Sequence, residues 1–391
     1  MRSVELFAGA GGLAMGIGGV GFEHVVVIEK DAHACGTVRE NQAAGCPAVA
    51  GWPLFEGDAR DFHYERINGE VDLVSGGPPC QPFSLGGKHR GRKDSRDMFP
   101  EAIRAVRELK PKAFIFENVR GLARPKFHNY LEYIKLQLTY PELQPFDNEN
   151  WEDHTRRLQR HHTGGMERGL IYNVLDHLGQ AADFGVPQKR ERLFIVGIRS
   201  DLGLKWCFPR KTHDLDALLW SQWISGDYWD LHRIPKRQRP EIPRALVKRV
   251  EKLKDYRMPP RHHRWLTVRD AISDLPDPES NGQMTTLQNH VFNPGARSYP
   301  GHTGSPLDEP AKTLKAGDHG VPGGENMLRR PDGSIRYFTV RESARLQTFP
   351  DDYFFGGTWS ENMRQLGNAV PVRLAEAVAR GVRECLEKNL A

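Results

Sequence analysis

The segment VELFAGAGGLAMG, residues 4–16, contains the transition on which the fold depends. A short strand-like run ends at Phe7, Gly9, Gly11 and Gly12 follow, and an apolar stretch with helical character continues after them. A glycine-rich turn between a strand and a helix lets a ligand approach the backbone and presents helix amides to an anionic group. Because such turns also close strand–helix junctions that bind nothing, this segment predicts an α/β unit and leaves its ligand open.

Short β-branched runs alternate with helical patterns over the first two hundred residues, as in a parallel sheet with crossover helices. An amphipathic helix follows possible caps at Asp94 and Ser95, with apolar residues repeating from Phe99 to Leu109. We therefore predict the α/β class, with a mostly parallel, Rossmann-like sheet and helices on both of its faces. The predicted strands are residues 3–7, 25–29, 71–75, 113–117, 171–175 and 192–198.

The alternation stops after about residue 202, and turns rich in Gly and Pro dominate residues 280–333. The last predicted helix, residues 371–386, has an apolar stripe suited to the first domain, so the chain is expected to return there. We predict a discontinuous first domain (1–202 and 359–391) and a smaller irregular second domain (203–358). The polar, mostly pattern-free residues 139–169 are predicted to be a surface insertion.

Positive charge is concentrated in one part of the chain. The 391 residues include 55 Lys and Arg against 50 Asp and Glu, a net charge of +5. Residues 233–264 contain twelve Lys or Arg and three Asp or Glu, a local +9 that leaves the remainder at −4. A solvated helical face is the simplest interpretation of such a run, and phosphate binding is the alternative.

Composition excludes several classes of protein. The chain is 38% hydrophobic and 27% charged, which indicates a globular protein rather than a disordered one. No apolar run approaches the roughly 20 residues of a membrane span, and we expect a cytoplasmic protein with no membrane partner. Five scattered cysteines match neither a disulfide framework nor a zinc site, and the histidine pairs lack metal-ligand spacing, so no metal is expected.

Two acids at predicted strand ends indicate an adenosine-bearing cofactor. Glu29 ends the second strand, 18 residues beyond Gly11, where a carboxylate can accept hydrogen bonds from both ribose hydroxyls. Asp58, in EGDARDF, follows the next strand end and can receive an adenine amino group. The glycine spacing differs from the GxGxxG pyrophosphate fingerprint, which favours S-adenosylmethionine over NAD.

The segment GGPPCQPFS, residues 76–84, indicates a nucleophile. It follows the predicted strand 71–75, at the edge of the sheet where open α/β sheets bind ligands. A lone cysteine is usually structural. Two prolines fix the backbone just before Cys80, however, which suits a side chain held at one angle in an active site.

Six motifs, in chain order, resemble those of the prokaryotic-type DNA (cytosine-5)-methyltransferases. They are FAGAGG (7–12), PPCQPFS (78–84), ENVRG (117–121), QKRERLF (188–194), RESARLQTFPDDY (341–353) and GNAVPV (367–372). Only residues 139–169 and most of 203–335 are unmatched. The resemblance implies the fold of S-adenosylmethionine-dependent methyltransferases, joined to a target-recognition domain.

The resemblance also implies a mechanism. Cys80 would attack carbon 6 of cytosine and make carbon 5 nucleophilic. Glu117 would hydrogen-bond the ring nitrogen and exocyclic amine, and Asn118 would fix the adjacent loop. Arg192 would contact the base carbonyl, while Arg190 would orient the site or hold a phosphate. Because these two arginines alternate at strand spacing, we expect both to project to one side.

The remaining contacts carried over from the family concern cofactor and DNA. Adenine would stack on Phe7, and Lys30 stands where relatives often carry a second aromatic residue. The full set expected at the cofactor is Phe7, Gly9, Gly11, Gly12, Glu29, Lys30, Asp58, Pro78 and Asn368. Gln81 and Ser84 would fill the space of a base flipped out of the duplex. Thr313 and Leu314 resemble the Thr-Leu element of the target-recognition domain.

We predict an enzyme that methylates carbon 5 of cytosine within a specific sequence of double-stranded DNA, in a restriction–modification system or as an orphan methylase. We expect a monomer in a prokaryotic cytoplasm, associated with the nucleoid through DNA, with a cognate restriction endonuclease as a genetic partner. The alternatives are a tRNA cytosine-5 methyltransferase and a non-catalytic DNA-binding protein of the same fold. An NAD oxidoreductase is the weakest alternative.

Overall fold

The computed structural model describes residues 1–79, 97–165, 169–280, 287–298, 303–316 and 325–388. Contacts divide the chain into two compact units. The first comprises Met1–Gly179, Glu191–Pro209 and Phe349–Ala391, and the second comprises Gln180–Arg190 and Arg210–Thr348. Residues 180–190, which the sequence analysis placed with the first domain, group with the second because Gln188 and Arg190 bond to Leu314. Residues 203–209 and 349–358 group with the first unit.

A seven-stranded sheet organises the first unit, with the strand order β3-β2-β1-β4-β5-β7-β6. Neighbours from β3 to β5 pair in parallel, and β7 runs antiparallel to β5. The mostly parallel α/β sheet is confirmed. The three-residue edge strand β3 was given no predicted range, although Asp58 was expected to follow a strand end there. The strands are β1 Arg2–Leu6, β2 Glu23–Glu29, β3 Leu54–Glu56, β4 Leu73–Gly76, β5 Ala113–Val119, β6 Tyr172–Gln180 and β7 Glu191–Arg199.

The described residues of the first part of this unit, up to Gly179, form five α-helices. They are α1 Gly12–Gly19, α2 Ala32–Ala43, α3 Phe99–Leu109, α4 His128–Thr139 and α5 Trp151–Thr163. Apolar side chains of α3 and α4 share one buried cluster with side chains of β1, β2 and β4, including Val4, Leu6, Val74, Ile103 and Ile134. The predicted caps Asp94 and Ser95 lie outside the described residues.

The second unit has short elements, as expected of a loop-rich domain. Its strands are β8 His213–Asp214, β9 His263–Arg264, β10 Ser305–Pro306, β11 Met327–Arg329 and β12 Ile335–Tyr337. Its helices are α6 Leu215–Trp223, α7 Asp227–Leu231, α8 Val247–Lys254, α9 Val268–Ile272 and α10 Val340–Leu346. Buried and half-buried polar side chains support this unit: Tyr228 hydrogen-bonds Thr267 and Asp308, and Arg269 pairs with Asp308.

The chain ends in α11 (Trp359–Asn368) and α12 (Val372–Glu387), both in the first unit. Helix α12 packs on α1 at close range because glycines of α1 face it. A Cβ on Gly12 would lie 2.3 Å from the Val370 carbonyl oxygen, and one on Gly16 would lie 2.5 Å from the Ala375 Cβ. The glycines after β1 thus serve packing between the two ends of the chain as well as the turn.

The predicted insertion, residues 139–169, contains a helix that its sequence pattern did not reveal. The Asn150 side chain caps α5 by accepting a hydrogen bond from the Asp153 amide at 2.8 Å. Leu158 is fully buried, and His154 is buried with its Nδ1 2.9 Å from the Tyr133 hydroxyl of α4. A buried, hydrogen-bonded histidine takes the place of an apolar residue, so the hydrophobic period expected of a helix is missing.

Behind the carboxyl ends of the central strands lies a buried acid. Glu5 of β1 stands opposite Ser75 of β4, both are fully buried, and the Ser75 hydroxyl hydrogen-bonds the Glu5 carboxyl group. Burial raises the pKa of Glu5 from 4.5 to about 8, against the opposing effect of the Ser75 hydrogen bond. The carboxyl group is therefore protonated in the folded protein at neutral pH.

This burial predicts a pH-dependent stability. The unfolded chain releases the Glu5 proton above its ordinary pKa and the folded chain keeps it, so stability should fall by about 1.4 kcal/mol per pH unit between roughly pH 4.5 and pH 8. In Glu5→Gln this pH dependence disappears. The free energy of unfolding measured in urea should therefore rise for the variant relative to wild type as the pH increases. The control Glu23→Gln, at an exposed position of β2, should track wild type. A stability difference between Glu5→Gln and wild type that is the same at pH 5 and pH 8 would contradict the assignment.

Candidate active site

The carboxyl ends of β1 to β5 meet at one edge of the sheet because these strands run in parallel. The strand order departs in opposite directions from β1 and β4, and open α/β sheets bind ligands at such a switch point. Most of the predicted cofactor residues lie at the ends of β1 and β2 or in the segments that follow β1, β2 and β3, whereas Pro78 follows β4 and Asn368 ends α11. Among the predicted catalytic residues, Cys80 follows β4, Glu117 lies near the end of β5, and Arg192 lies in β7 opposite Val119.

The three glycines of the loop after β1 have different environments. A Cβ on Gly11 would lie 2.8 Å from the Trp52 ring, and one on Gly12 would meet the Val370 backbone. A Cβ on Gly9 would have no atom of the described residues within 4 Å, so the loop has open space there. The Tyr353 hydroxyl donates a hydrogen bond to the Ala10 carbonyl at 3.0 Å and holds the loop from the other side.

Glu29 ties this loop to the end of β2. Its Oε2 accepts a hydrogen bond from the Gly9 amide at 2.7 Å, and its Oε1 accepts from the Lys30 and Asp31 amides, each at 2.8 Å. A carboxylate offers about four acceptor positions, so these bonds leave capacity for a further donor. The half-buried Glu29 side chain is thus fixed in orientation and able to bind a hydroxyl group.

Asp58, one strand further, is held by its own neighbour. The Arg60 guanidinium donates Nε–H to Oδ1 at 2.9 Å and Nη2–H to Oδ2 at 2.7 Å. This hydrogen bonding lowers the pKa of Asp58 to about 2, against partial desolvation, so the carboxylate is ionised at neutral pH. The amino group of a ligand would have to share the Asp58 carboxylate with Arg60. The sequence did not indicate this pairing of Asp58 with Arg60.

The other expected cofactor residues differ in exposure. Phe7 is half-buried, with a positive φ of 56° that turns the chain out of β1. Lys30 and Asn368 are exposed, and Pro78 is buried. The aromatic face of Phe7 is therefore only partly covered by the core.

On the catalytic side, β5 supports the segment that leads to Cys80. The Asn118 Nδ2 donates a hydrogen bond to the Pro78 carbonyl at 2.9 Å, and its Oδ1 accepts from the Val119 amide at 2.9 Å. Asn118 therefore holds the backbone two residues before Cys80. Cys80, Gln81 and Ser84 themselves lie outside the described residues.

Glu117 and Arg192 form a buried ion pair across β5 and β7. The Arg192 Nε lies 2.7 Å from the Glu117 Oε1, and Arg192 and Glu117 are 8% and 7% exposed. Burial lowers the pKa of Arg192 from its usual value, and the Glu117 charge opposes that shift. A Cβ on Gly77 would lie 3.3 Å from the Glu117 Oε2, so the glycine leaves room beside the second carboxylate oxygen.

Arg190 does not share the surroundings that the sequence analysis expected for it and Arg192. It precedes β7, groups with the second unit, and its Nη1 donates to the Leu314 carbonyl at 2.8 Å. Strand alternation begins only at Glu191, so the expectation that both arginines project to one side does not follow. Fully buried Arg190 instead anchors the Thr-Leu element.

Further bonds in the second unit hold that element. The Leu314 amide donates to the Gln188 Oε1 at 3.0 Å, and the Thr313 hydroxyl donates to the Lys189 carbonyl at 2.7 Å. Leu314 is buried and Thr313 is half-buried. The roles of Gln188, Tyr353 and Gly77 were not predicted, although all three lie within or beside the motifs quoted above. Their contacts are with residues distant in sequence, and no local sequence pattern marks such contacts.

Two expected absences can be examined in the described residues. There, no group of three or more His, Cys, Asp and Glu side chains is arranged to hold a metal ion. None of the described helices combines the length and apolar character needed to cross a membrane.

Comparison with known proteins agrees with this architecture. The family model of the C-5 cytosine-specific DNA methylases matches residues 1–140 and 153–384. The chain is 32% identical to the Type II methyltransferase M.PspPI of Psychrobacter sp., covering 97% of this chain and 78% of that one. It is also 32% identical to the Type II methyltransferase M.NgoMIV of Neisseria gonorrhoeae, covering 99% and 98%.

Solved structures show the same fold. The Dnmt2 methyltransferase of S. pombe superposes with a TM-score of 0.56 at 17% identity, covering 99% of each chain. A prophage-encoded E. coli protein assigned as a DNA modification methyltransferase gives a TM-score of 0.58 at 21% identity, also over 99% of each chain.

These findings define the protein as a methyl-transferring enzyme built on an α/β sheet. The chain belongs to the C-5 cytosine-specific DNA methylase family. The family resemblance, the fold and the DNA (cytosine-5)-methyltransferase activity expected from the sequence are confirmed. The tRNA alternative has less support, because the curated relatives described above are Type II methyltransferases.

The buried ion pair predicts a large cost when one partner is removed. Arg192→Met should lower the free energy of unfolding by about 3–5 kcal/mol, because Glu117 is left buried without a counter-charge. In the double variant with Glu117→Gln, denaturant unfolding should show that part of the lost free energy of unfolding is recovered. The control Arg380→Met removes an exposed partner of Glu376 on α12 and should cost no more than about 1 kcal/mol. Equal stability of Arg192→Met and wild type would show that the charges are solvated.

Proposed function

We propose that this enzyme transfers the methyl group of S-adenosylmethionine to carbon 5 of cytosine in a specific duplex sequence, through a covalent bond between Cys80 and the base. The observation that carries the proposal is the buried Glu117–Arg192 pair beside Gly77 and Pro78. It brings a carboxylate and a guanidinium to the end of β5, next to the segment that leads directly to Cys80.

The chemistry requires a nucleophile and an acid. Carbon 5 of cytosine is weakly nucleophilic, and attack of the Cys80 thiolate on carbon 6 forms an S–C bond and an enamine that accepts a methyl group at carbon 5. S-Adenosylmethionine, when it is bound, would supply that electrophilic methyl group from its sulfonium and leave as the thioether S-adenosylhomocysteine. A base, proposed to be water, then takes the proton from carbon 5, and the S–C bond breaks to release Cys80.

Glu117 and Arg192 act on the ring in this proposal. Glu117 hydrogen-bonds the ring nitrogen and exocyclic amine, which offsets the charge that thiolate attack places on the ring. Arg192 contacts the base carbonyl while holding Glu117 in position. The room beside the Glu117 Oε2 at Gly77 supports the approach of a base edge. For Arg190, the bond to Leu314 favours an orienting role over phosphate binding.

The residues present fit S-adenosylmethionine. Glu29, fixed by three backbone amides, retains acceptor capacity for the ribose hydroxyls. The half-buried Phe7 offers a ring to adenine, and the open space at Gly9 lets the cofactor approach the backbone. Asp58 would bind the adenine edge while it stays paired with Arg60, and Asn368 with Gly11 would lie near the methionine moiety. Gly12 and Pro78 complete the set expected at the cofactor, and Lys30 offers no second aromatic ring.

DNA engagement has two parts. Gln81 and Ser84, outside the described residues, fill the space of the flipped cytosine, as the family resemblance implies. Thr313 and Leu314 form the part of the target-recognition domain that contacts DNA. The Leu314 amide and carbonyl are both occupied by Gln188 and Arg190, which supports a rigid platform whose half-buried Thr313 is the side chain nearer to solvent.

The relatives support a proposal about the biological setting. Those named above are Type II methyltransferases, and we propose that this chain modifies DNA in the same kind of restriction–modification system. We also propose that it acts as a monomer and has a cognate restriction endonuclease.

A direct assay tests the substrate. Purified protein with tritiated S-adenosylmethionine should label mixed-sequence duplex DNA, and nucleoside digestion should place the label on 5-methylcytosine. Parallel reactions with tRNA should stay at background. Label on adenine, preferential labelling of tRNA, or no incorporation into DNA would contradict the proposal, the last outcome favouring a non-catalytic DNA-binding protein.

The nucleophile has a separate test. Cys80→Ser should reduce turnover by at least about a thousandfold, because a hydroxyl is a far weaker nucleophile than a thiolate. Duplex DNA with 5-fluorocytosine should trap wild type as a denaturation-resistant adduct, since fluorine cannot leave carbon 5 as a proton does. Cys80→Ser should give no adduct, whereas the control Cys207→Ser, at an exposed free thiol, should behave as wild type. An adduct with Cys80→Ser would assign the bond to another residue.

A further inference from the structure

Helix α8 in the second unit has an apolar side and a cationic side. Val250 and Leu253 are buried and share a hydrophobic cluster with Leu219 of α6. Lys248 and Lys252, one turn apart on the side of α8 away from this cluster, are exposed. The helix is therefore docked through one face, and its other face is available to a partner.

Most of the cations in residues 233–264, the segment that contains α8, have no acid partner among the described residues. Four cations between residues 233 and 264 pair with acids: Arg239 with Asp230, Arg249 with Asp216, Lys254 with Glu251 and Arg264 with Asp270. Eight exposed cations have no carboxylate oxygen within 4.0 Å in the described part of the chain. We call them the basic surface: Arg233, Lys236, Arg237, Arg244, Lys248, Lys252, Arg257 and Arg261.

This arrangement differs from that of α12, another helix with exposed cations. There, Arg380 pairs with Glu376 and Arg383 pairs with Glu387, each at the stabilising i, i+4 spacing. On α8 the i, i+4 positions 248 and 252 are both lysine, and like charges at that spacing disfavour the helix. The charges of Lys248 and Lys252 thus do not contribute to the stability of α8.

Apolar side chains are interleaved with these cations. Tyr256 and Met258, which follow α8, are 43% and 76% exposed, and Val247 at the start of α8 is 39% exposed. The surface therefore combines exposed positive charges with apolar groups and almost no acid, with Glu241 and Asp255 as the remaining unpaired carboxylates in the segment among described residues. Such a surface is complementary to a polyanion whose backbone also offers the apolar faces of its sugars.

We propose that the basic surface binds the phosphate backbone of duplex DNA without reading its sequence. The proposal rests on DNA as the substrate of this enzyme. It attributes affinity for duplex DNA to residues other than the Thr313–Leu314 element. Phosphate contacts position a protein on the duplex and provide salt-dependent affinity, whereas base-edge contacts provide specificity. The exposed lysines and arginines of this surface supply the charge that such contacts need, and no acid partner among the described residues orients them toward a base edge.

The test uses the triple variant Arg244→Gln, Lys248→Gln and Lys252→Gln, which leaves the buried side chains of α8 in place. Fluorescence anisotropy measures its binding to a duplex of A·T pairs only, which contains no cytosine and isolates backbone affinity. If each cation contacts one phosphate, the slope of log Kd against log salt should fall by about 2.7, with Kd at 50 mM salt at least about tenfold weaker. Thermal unfolding should match wild type.

Two measurements make the result specific. The control Lys254→Gln removes a lysine of the same helix that is already paired with Glu251, and should leave the salt slope within about 0.5 of wild type. On mixed-sequence DNA the triple variant should keep the kcat and the bisulfite-determined methylation sites of wild type while its KM rises. This readout separates backbone binding from catalysis and from sequence choice.

An unchanged salt slope in a folded triple variant would overturn the proposal, as would a changed set of methylated sequences, since the surface would then read bases. Failure of the proposed function is distinguishable, because wild type would bind the A·T duplex with the expected salt slope and yet incorporate no methyl group into cytosine-containing DNA.

Discussion

Parallel pairing of β1 with both β2 and β4 is the constraint on which the site depends. It places the loops after these strands at one edge, so that residues far apart in the chain become neighbours. The Glu29 carboxylate then joins the ends of β1 and β2, because it accepts hydrogen bonds from the amides of Gly9, Lys30 and Asp31. The same edge continues to β5, where Asn118 supports the Pro78 carbonyl.

Buried polar groups near this edge destabilise the fold in isolation and are compensated locally. Glu5 stays neutral and hydrogen-bonds Ser75, whereas Glu117 lies beside the Arg192 guanidinium, so these two buried glutamates are compensated by different partners. The contrast follows from their partners: a hydroxyl cannot compensate a buried negative charge, and an arginine can. Glu117 therefore has a charged environment suited to chemistry, and Glu5 contributes to the sheet interior.

Much of the first unit could be predicted because its pattern is local. The glycine turn after β1, the β-branched strands and the amphipathic helices α3 and α12 each follow from a run of consecutive residues. Strand β3 and helix α5 were not predicted, and each has a physical reason. Strand β3 is only three residues long, and α5 buries a histidine bonded to Tyr133 where an apolar residue would have marked a helix. The second unit, with short elements and buried polar contacts, has no periodicity from which to derive it.

The sequence by itself determined the class of enzyme, because its ordered motifs specify residue types and spacings that local chemistry requires. Only the tertiary structure decided which residues act together. Arg190 and Arg192 are two positions apart, yet one bonds to Leu314 and the other to Glu117, since regular strand geometry begins between them. Likewise, the net charge of residues 233–264 is visible in the sequence, but which cations are neutralised depends on acids that folding brings beside them, such as Asp216 and Asp270.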